Sequence, residues 1–274
     1  MASQPVETRS PAIPLVLAER RLLPRNSDLA TFVFQARNGL EIPPFEAGQH
    51  AVLGLPGDEG IDRGYYSIAS APEERPRLEF FVRRVSGGGT SGSLFSLREG
   101  GEAFLEEIGG DFTLKHSRRT HLAFVAGGTG LAPFLSMLRH LQAATGSAGG
   151  DRPASLSLWH GVRVSSDLGY REELEALQAR APFPFAYVPT VSRPGEDPEF
   201  DGARLSRGRV DELLAGILGV PGGGDPRGFQ LAPGHSAEAL QGLLPPGETD
   251  FFVCGPYGPA AIHSRFPPGG RLPR

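Results

Sequence analysis

The run Gly127-Gly-Thr-Gly-Leu-Ala-Pro133 constrains this chain more than any other segment. It follows an apolar stretch, His121–Ala126, and precedes a helical pattern over Phe134–Leu141. Strand, glycine turn and helix form the geometry that binds a nucleotide diphosphate. Glycines let the backbone approach the phosphates, and the helix N-terminus offers free N–H groups to negative charge. Pro133 replaces the third glycine of the G-x-G-x-x-G fingerprint. Proline suits the first turn of a helix, where no N–H is needed. A glycine fingerprint alone also fits a plain tight turn, so its weight comes from what surrounds it.

Upstream, residues 12–116 alternate β-branched or aromatic runs with turn signals. Leu15–Arg20, Ala30–Gln35, Ala51–Leu55, Tyr66–Ala69, Leu78–Val85 and Ala103–Glu107 read as short strands of an antiparallel barrel or sandwich. From Thr120 the period changes. Apolar strands at 121–126, 155–161, 184–191 and 250–254 alternate with helical stretches at 133–144, 167–180 and 208–218. That is the pattern of a parallel, doubly wound α/β unit. A boundary near Lys115–Arg119 divides the chain into domains over 12–116 and 117–274.

The bulk composition excludes several classes. A net charge of −4 over 274 residues argues against a nucleic-acid binder. No apolar run approaches the length of a membrane-spanning helix. The first ten residues are polar and lack the apolar core of a secretory signal, so a cytoplasmic protein is expected. The single cysteine, Cys254, excludes an internal disulfide and a cluster held by about four thiolates. The histidines are scattered singly with no H-x-x-x-H pair, so a metal site is not expected.

Four constellations carry chemistry. In Arg63-Gly-Tyr-Tyr-Ser-Ile-Ala-Ser70 an arginine can bind a diphosphate, a tyrosine ring can stack on a flat cofactor, and a serine hydroxyl can bond one of its ring nitrogens. The same octapeptide also reads as a half-buried edge strand. Gly87-Gly-Gly-Thr-Ser-Gly-Ser-Leu94 reads as a loop entering a short helix with Ser91 as N-cap, or as a flexible hairpin. Arg163, Arg193 and Arg209 follow the α/β strands, where doubly wound sheets bind ligands and where arginines can converge on an extra phosphate. An acidic residue there would instead select a ribose 2′-hydroxyl; Asp167 comes four residues after Arg163 and is expected to cap a helix. Finally, Cys254 ends an apolar strand before Gly255-Pro256 and so faces the ligand crevice, or is a small buried hydrophobe.

Together these segments resemble the ferredoxin–NADP⁺ reductase superfamily, in particular its bacterial branch, over about residues 12–256. Tyr66-Ser-Ile-Ala-Ser70 is similar to its flavin motif. Phe45–His50 resembles the turn before the flavin strand, and Gly110–Leu114 the end of the flavin barrel. Gly127–Pro133 resembles its G-T-G-x-x-P pattern, and Cys254-Gly-Pro256 its C-G-x segment. His160-Gly-Val-Arg163 with Leu168–Leu174 is similar to bacterial members that use NADPH.

The resemblance implies an antiparallel FAD-binding β-barrel followed by an NADP(H)-binding α/β domain. It implies a monomeric reductase moving electrons between NADPH and ferredoxin or flavodoxin by hydride transfer to flavin N5. Tyr66 would stack on the isoalloxazine, Ser67 would bond N5, and Ile68 would be a further flavin contact. Arg63 and Ser91 would hold the pyrophosphate. Gly128, Thr129 and Gly130 would meet the NADP pyrophosphate, and Arg163, Arg193 and Arg209 its 2′-phosphate. Cys254 and Gly255 would border the nicotinamide. Ser67 and Cys254 are thus the expected catalytic pair.

Two departures stand out. The arginine lies three residues before Tyr66, where the family has two. After Pro256 only Tyr257–Arg274 follows, and its end, Phe266–Arg274, with three prolines and two glycines, suits neither strand nor helix, so the family's last strand and flavin-covering aromatic are expected to be missing. An NADH-dependent reductase component of an oxygenase and a non-catalytic flavin-binding remnant are the rival expectations. Arg20, Arg21, Arg25, Arg83 and Arg84 form basic clusters that suit an acidic carrier, or are ordinary solvated charges.

Overall fold

The computed structural model describes residues 12–57, 60–86, 89–117, 120–144, 152–220 and 229–256. The first half builds β1 (Ile13–Leu23), β2 (Asn26–Ala36), β3 (His50–Gly57), β4 (Gly60–Ser67), β5 (Arg77–Arg83), α1 (Thr90–Ser96) and β6 (Glu102–Gly109). The six strands form one antiparallel sheet, ordered β4-β3-β6-β1-β2-β5. A bridge between Ile68 and Phe80 joins its two edges and closes a barrel. Leu15, Leu17, Phe32, Phe34, Leu53 and Phe80 fill the interior.

Strand β5 is buried on both faces because its period of two serves two cores. Leu78, Phe80 and Val82 enter the barrel. Phe81 points the other way, into the core of the second half. Its ring meets Tyr170 edge-on at 5.3 Å. Any Cβ at Gly169 would lie 2.4 Å from the Phe81 ring, so glycine is required for this contact.

The second half builds β7 (His121–Gly127), α2 (Ala132–Ala144), β8 (Ser155–Val162), α3 (Arg171–Arg180), β9 (Phe185–Val191) and β10 (Ser206–Arg207). It continues with α4 (Val210–Ile217), α5 (Ala237–Gly242) and β11 (Thr249–Cys254). Five parallel strands are ordered β10-β9-β8-β7-β11. Leu122 and Phe124 pack with α2 and α3, while Ala123 and Val125 pack with α4 and α5. Helices therefore cover both faces, which is the doubly wound architecture. The chain runs outward from β7 to β10 and returns with β11 on the other side of β7. The strand order thus reverses at the carboxyl end of β7, where the glycine run lies.

Two local expectations are corrected. Ser91 is not the N-cap of α1: Gly89 holds that position, and the Ser91 hydroxyl accepts the Val85 N–H at 3.1 Å. Asp167 does not cap α3, which begins after Tyr170 in a left-handed conformation. Asp167 is buried and turned toward the barrel. Tyr257–Arg274 lies outside the described residues, as do Gly87 and Gly88. Among the described residues, β11 is an edge strand.

Candidate active site

Where the barrel meets the carboxyl ends of β7, β8 and β11, a cleft of about 930 Å³ opens. The barrel contributes Tyr65, Tyr66, Ser67 and Ser91. The α/β unit contributes Gly128, Thr129, Gly130, Cys254 and Gly255 together with Arg163, Arg193 and Arg209. Segments far apart in sequence thus converge on one site.

The glycine run is built for close approach. A Cβ at Gly130 would lie 2.3 Å from the Cys254 carbonyl oxygen, and one at Gly255 2.7 Å from the Gly127 backbone. The turn and the end of β11 therefore touch backbone to backbone. Gly128 has φ +52, a left-handed conformation that favours glycine, and a Cβ there would meet nothing within 4 Å. Its open side faces the cleft.

His160, on β8, supports this turn from below. Its Nε2 lies 3.2 Å from the Gly128 carbonyl. A carbonyl only accepts, so Nε2 carries the proton. Nδ1 lies 3.3 Å from the Tyr187 hydroxyl, which donates to it. Complete burial pushes the His160 pKa down to about 4, with the Gly128 carbonyl opposing the shift. The ring is a neutral prop for the turn. The sequence reading missed this role, although His160 was visible in the His-Gly-Val-Arg segment.

Tyr66 packs edge-on against Phe80 at 6.2 Å, and burial pushes its hydroxyl pKa up to about 12. Tyr65 is 75% exposed and tilts over His50 at 5.4 Å. Burial pushes the Cys254 thiol up to about 11, which keeps it protonated at neutral pH.

Two expected binding residues lie away from the cleft. Arg63 pairs with Glu106 at 2.8 Å. In register Arg63 faces Gly54, whose missing side chain lets the guanidinium and the carboxylate meet across β3. Ile68 is fully buried in the barrel and its N–H is donated to the Gln49 carbonyl at 3.0 Å, so it offers a cofactor neither surface nor donor. In their stead Arg83, at the end of β5, lines the cleft. The alternation Phe81, Arg83, Val85 is the signal that could have placed it.

The three arginines of the α/β unit each pair with a nearby acid: Arg163 with Asp167, Arg193 with Glu196, and Arg209 with Asp211 and Glu212. The basic clusters on the barrel are likewise engaged. Arg21 meets Glu19, Arg25 meets Glu199, Arg83 meets Asp167, and Arg84 meets Asp28. Arg20 donates to the carbonyls of Phe95 and Leu97.

A second contact fastens barrel and α/β unit. Glu79 of β5 is fully buried. Arg139 of α2 donates to its Oε1 at 3.2 Å and Tyr170 at 2.7 Å, while Arg77 pairs with Oε2.

Comparison with known proteins matches two families, the oxidoreductase FAD-binding domain over residues 15–110 and the oxidoreductase NAD-binding domain over 124–262. The chain is 40% identical over 190 residues to ferredoxin–NADP reductase B of Sorangium cellulosum, covering 68% of this chain and 72% of that protein. It is 35% identical over 160 residues to the reductase component of phenol 2-monooxygenase from Pseudomonas sp., covering 58% of this chain and 43% of that one. The chain therefore spans under half of that component. Among solved structures, a ferredoxin NADP⁺ reductase from Neisseria gonorrhoeae with bound FAD and NADP shares the fold. Its TM-score is 0.66 at 23% identity, covering 88% of this chain and 84% of that one. No described helix is long and apolar enough to cross a membrane.

Proposed function

From the chain's membership of the ferredoxin–NADP⁺ reductase family of FAD- and NAD(P)-binding oxidoreductases, we propose that it is a monomeric enzyme moving electrons between NADPH and ferredoxin or flavodoxin. The observation that carries this reading is the convergence of Tyr66 and Ser67 with Thr129, Gly130 and Cys254 on one cleft. The residues present suit both groups. The open side of Gly128 admits a diphosphate, and arginines line the same cleft.

FAD, when bound, takes a hydride at N5 and can pass electrons on singly. Tyr66 offers it a ring face held by Phe80, and Ser67 offers a hydroxyl at the barrel side. The Gly128–Gly130 turn, fixed by His160, orients the dinucleotide. Cys254, which lines the cleft, would present a bound nicotinamide with a neutral thiol that adds no charge. Arg163, Arg193 and Arg209 select the 2′-phosphate. The domains divide at about residue 116, between the two sheets.

Asp167 also lines the cleft, 3.7 Å from Arg163. That acid favours a second reading, an NADH-dependent reductase component of an oxygenase. One experiment separates the two. The purified protein should be yellow, and anaerobic NADPH should bleach it at lower concentration than NADH. Preference for NADH would establish the second reading, and a colourless protein would overturn both.

A further inference from the structure

Asp167 is the carboxylate that lines the cleft among the described residues. It is 2% exposed. Its Oδ1 accepts the Asn26 side-chain N–H at 2.5 Å. Its Oδ2 is 2.9 Å from a guanidinium nitrogen of Arg83 and 3.7 Å from Nε of Arg163. Asn26 and Arg83 belong to the barrel; Arg163 and Asp167 belong to the α/β unit. The carboxylate thus sits between an arginine of each unit, and all three charged side chains line the same cleft. An anion entering the cleft meets these arginines already partnered.

We infer that Asp167 is an internal counter-anion that competes with the coenzyme's phosphate for Arg163 and Arg83, and so sets how strongly a phosphorylated nucleotide is preferred. The inference rests on the proposed reading of the cleft as a dinucleotide site. The physical reason is that one carboxylate oxygen and a phosphate oxygen cannot both take the same guanidinium N–H. Arg163 is 62% exposed, so its 3.7 Å pair with Asp167 has the modest strength of a solvent-screened one, while Arg83 is 31% exposed and its pair is better shielded. Asn26 is a neutral donor to Oδ1, while the two arginines approach Oδ2.

The probes are AMP and 2′-phospho-AMP, titrated calorimetrically into the full chain. The measured quantity is the ratio of their dissociation constants. In Asp167→Asn the ratio should move toward 2′-phospho-AMP by roughly three- to tenfold, with AMP itself changed little. Asp167→Ser removes the charge while keeping an oxygen for Asn26, and should move the ratio in the same direction. It serves if the asparagine variant does not fold. Asn26→Ala keeps the charge, so its ratio should stay at the wild-type value.

Wild type that prefers 2′-phospho-AMP, with no gain in either Asp167 variant, overturns the inference and leaves the NADPH reading intact. Wild type without preference, with gain in the variants, supports the inference and overturns the NADPH reading. No preference in any of the proteins overturns both. An equal gain in Asn26→Ala would trace the effect to loosened packing and overturn the inference.

Discussion

His160 is one side chain through which acid should weaken this protein. His160 is fully buried, and its pKa falls from the ordinary 6.5 to about 4. The native value lies below the unfolded one. As pH drops, the unfolded chain therefore takes up the proton first, and stability declines between about pH 6.5 and 4 before levelling off. At 1.36 kcal/mol per unit the full loss is about 3 kcal/mol, and at pH 5 it has reached about 2 kcal/mol. His160→Gln has nothing to titrate and keeps an N–H for the Gly128 carbonyl. Urea unfolding at a series of pH values, followed by the fluorescence of Trp159, gives both stabilities. Trp159 is the chain's one tryptophan and is fully buried, on the opposite face of β8 from His160. The variant should be less stable at pH 7.5, and its deficit should shrink by about 2 kcal/mol by pH 5. Stability curves that stay parallel over that range would refute the assignment of a neutral, buried prop.

Ser67→Ala should slow flavin reduction up to roughly tenfold, the worth of one hydrogen bond, while weakening FAD binding less; stopped-flow reduction against flavin-release titration reads both. Arg163→Ala should raise KM for NADPH by roughly tenfold and leave NADH nearly unchanged, and steady-state kinetics with each coenzyme checks it. Gly130→Ala forces a methyl to within 2.3 Å of the Cys254 carbonyl oxygen, so the strands must shift. It should cost about 1–3 kcal/mol, seen as a lowered Tm. Neutralising Arg84 should leave the salt dependence of carrier reduction unchanged, because Asp28 already balances its charge. A flattened dependence would restore it as a docking charge.

The sequence made the two-unit plan legible because both signals are local. A change of hydrophobic period marks the passage from barrel to α/β unit, and Gly127–Pro133 marks the turn where the sheet order reverses. The cleft residues near that turn, Thr129, Gly130 and Cys254, were readable for the same reason. Arg63 was not. Its partner Glu106 lies two strands away, and the pair meets only because Gly54 intervenes without a side chain. Ile68 was counted with its motif neighbours, yet closure of the barrel buries it, and closure depends on pairing with distant Phe80. Asp167 looked like a helix cap because capping is a short-range habit of aspartate; its partners Asn26 and Arg83 come from another sheet. The paired state of the basic clusters was equally invisible, since four of those arginines find acids through tertiary contacts or the strand's own geometry.

The Glu79 contact has a thermodynamic consequence. A carboxylate with no exposure is tolerable only while its donors surround it. Arg77 comes from the barrel, but Arg139 and Tyr170 come from the α/β unit. Removing those two would leave a buried charge short of partners, at a cost of about 3–5 kcal/mol. Phe81 would lose the apolar core it enters in the same event. Unfolding the α/β unit would strip Glu79 and Phe81 of the contacts they make there, and calorimetry should show the two sheets melting in one transition.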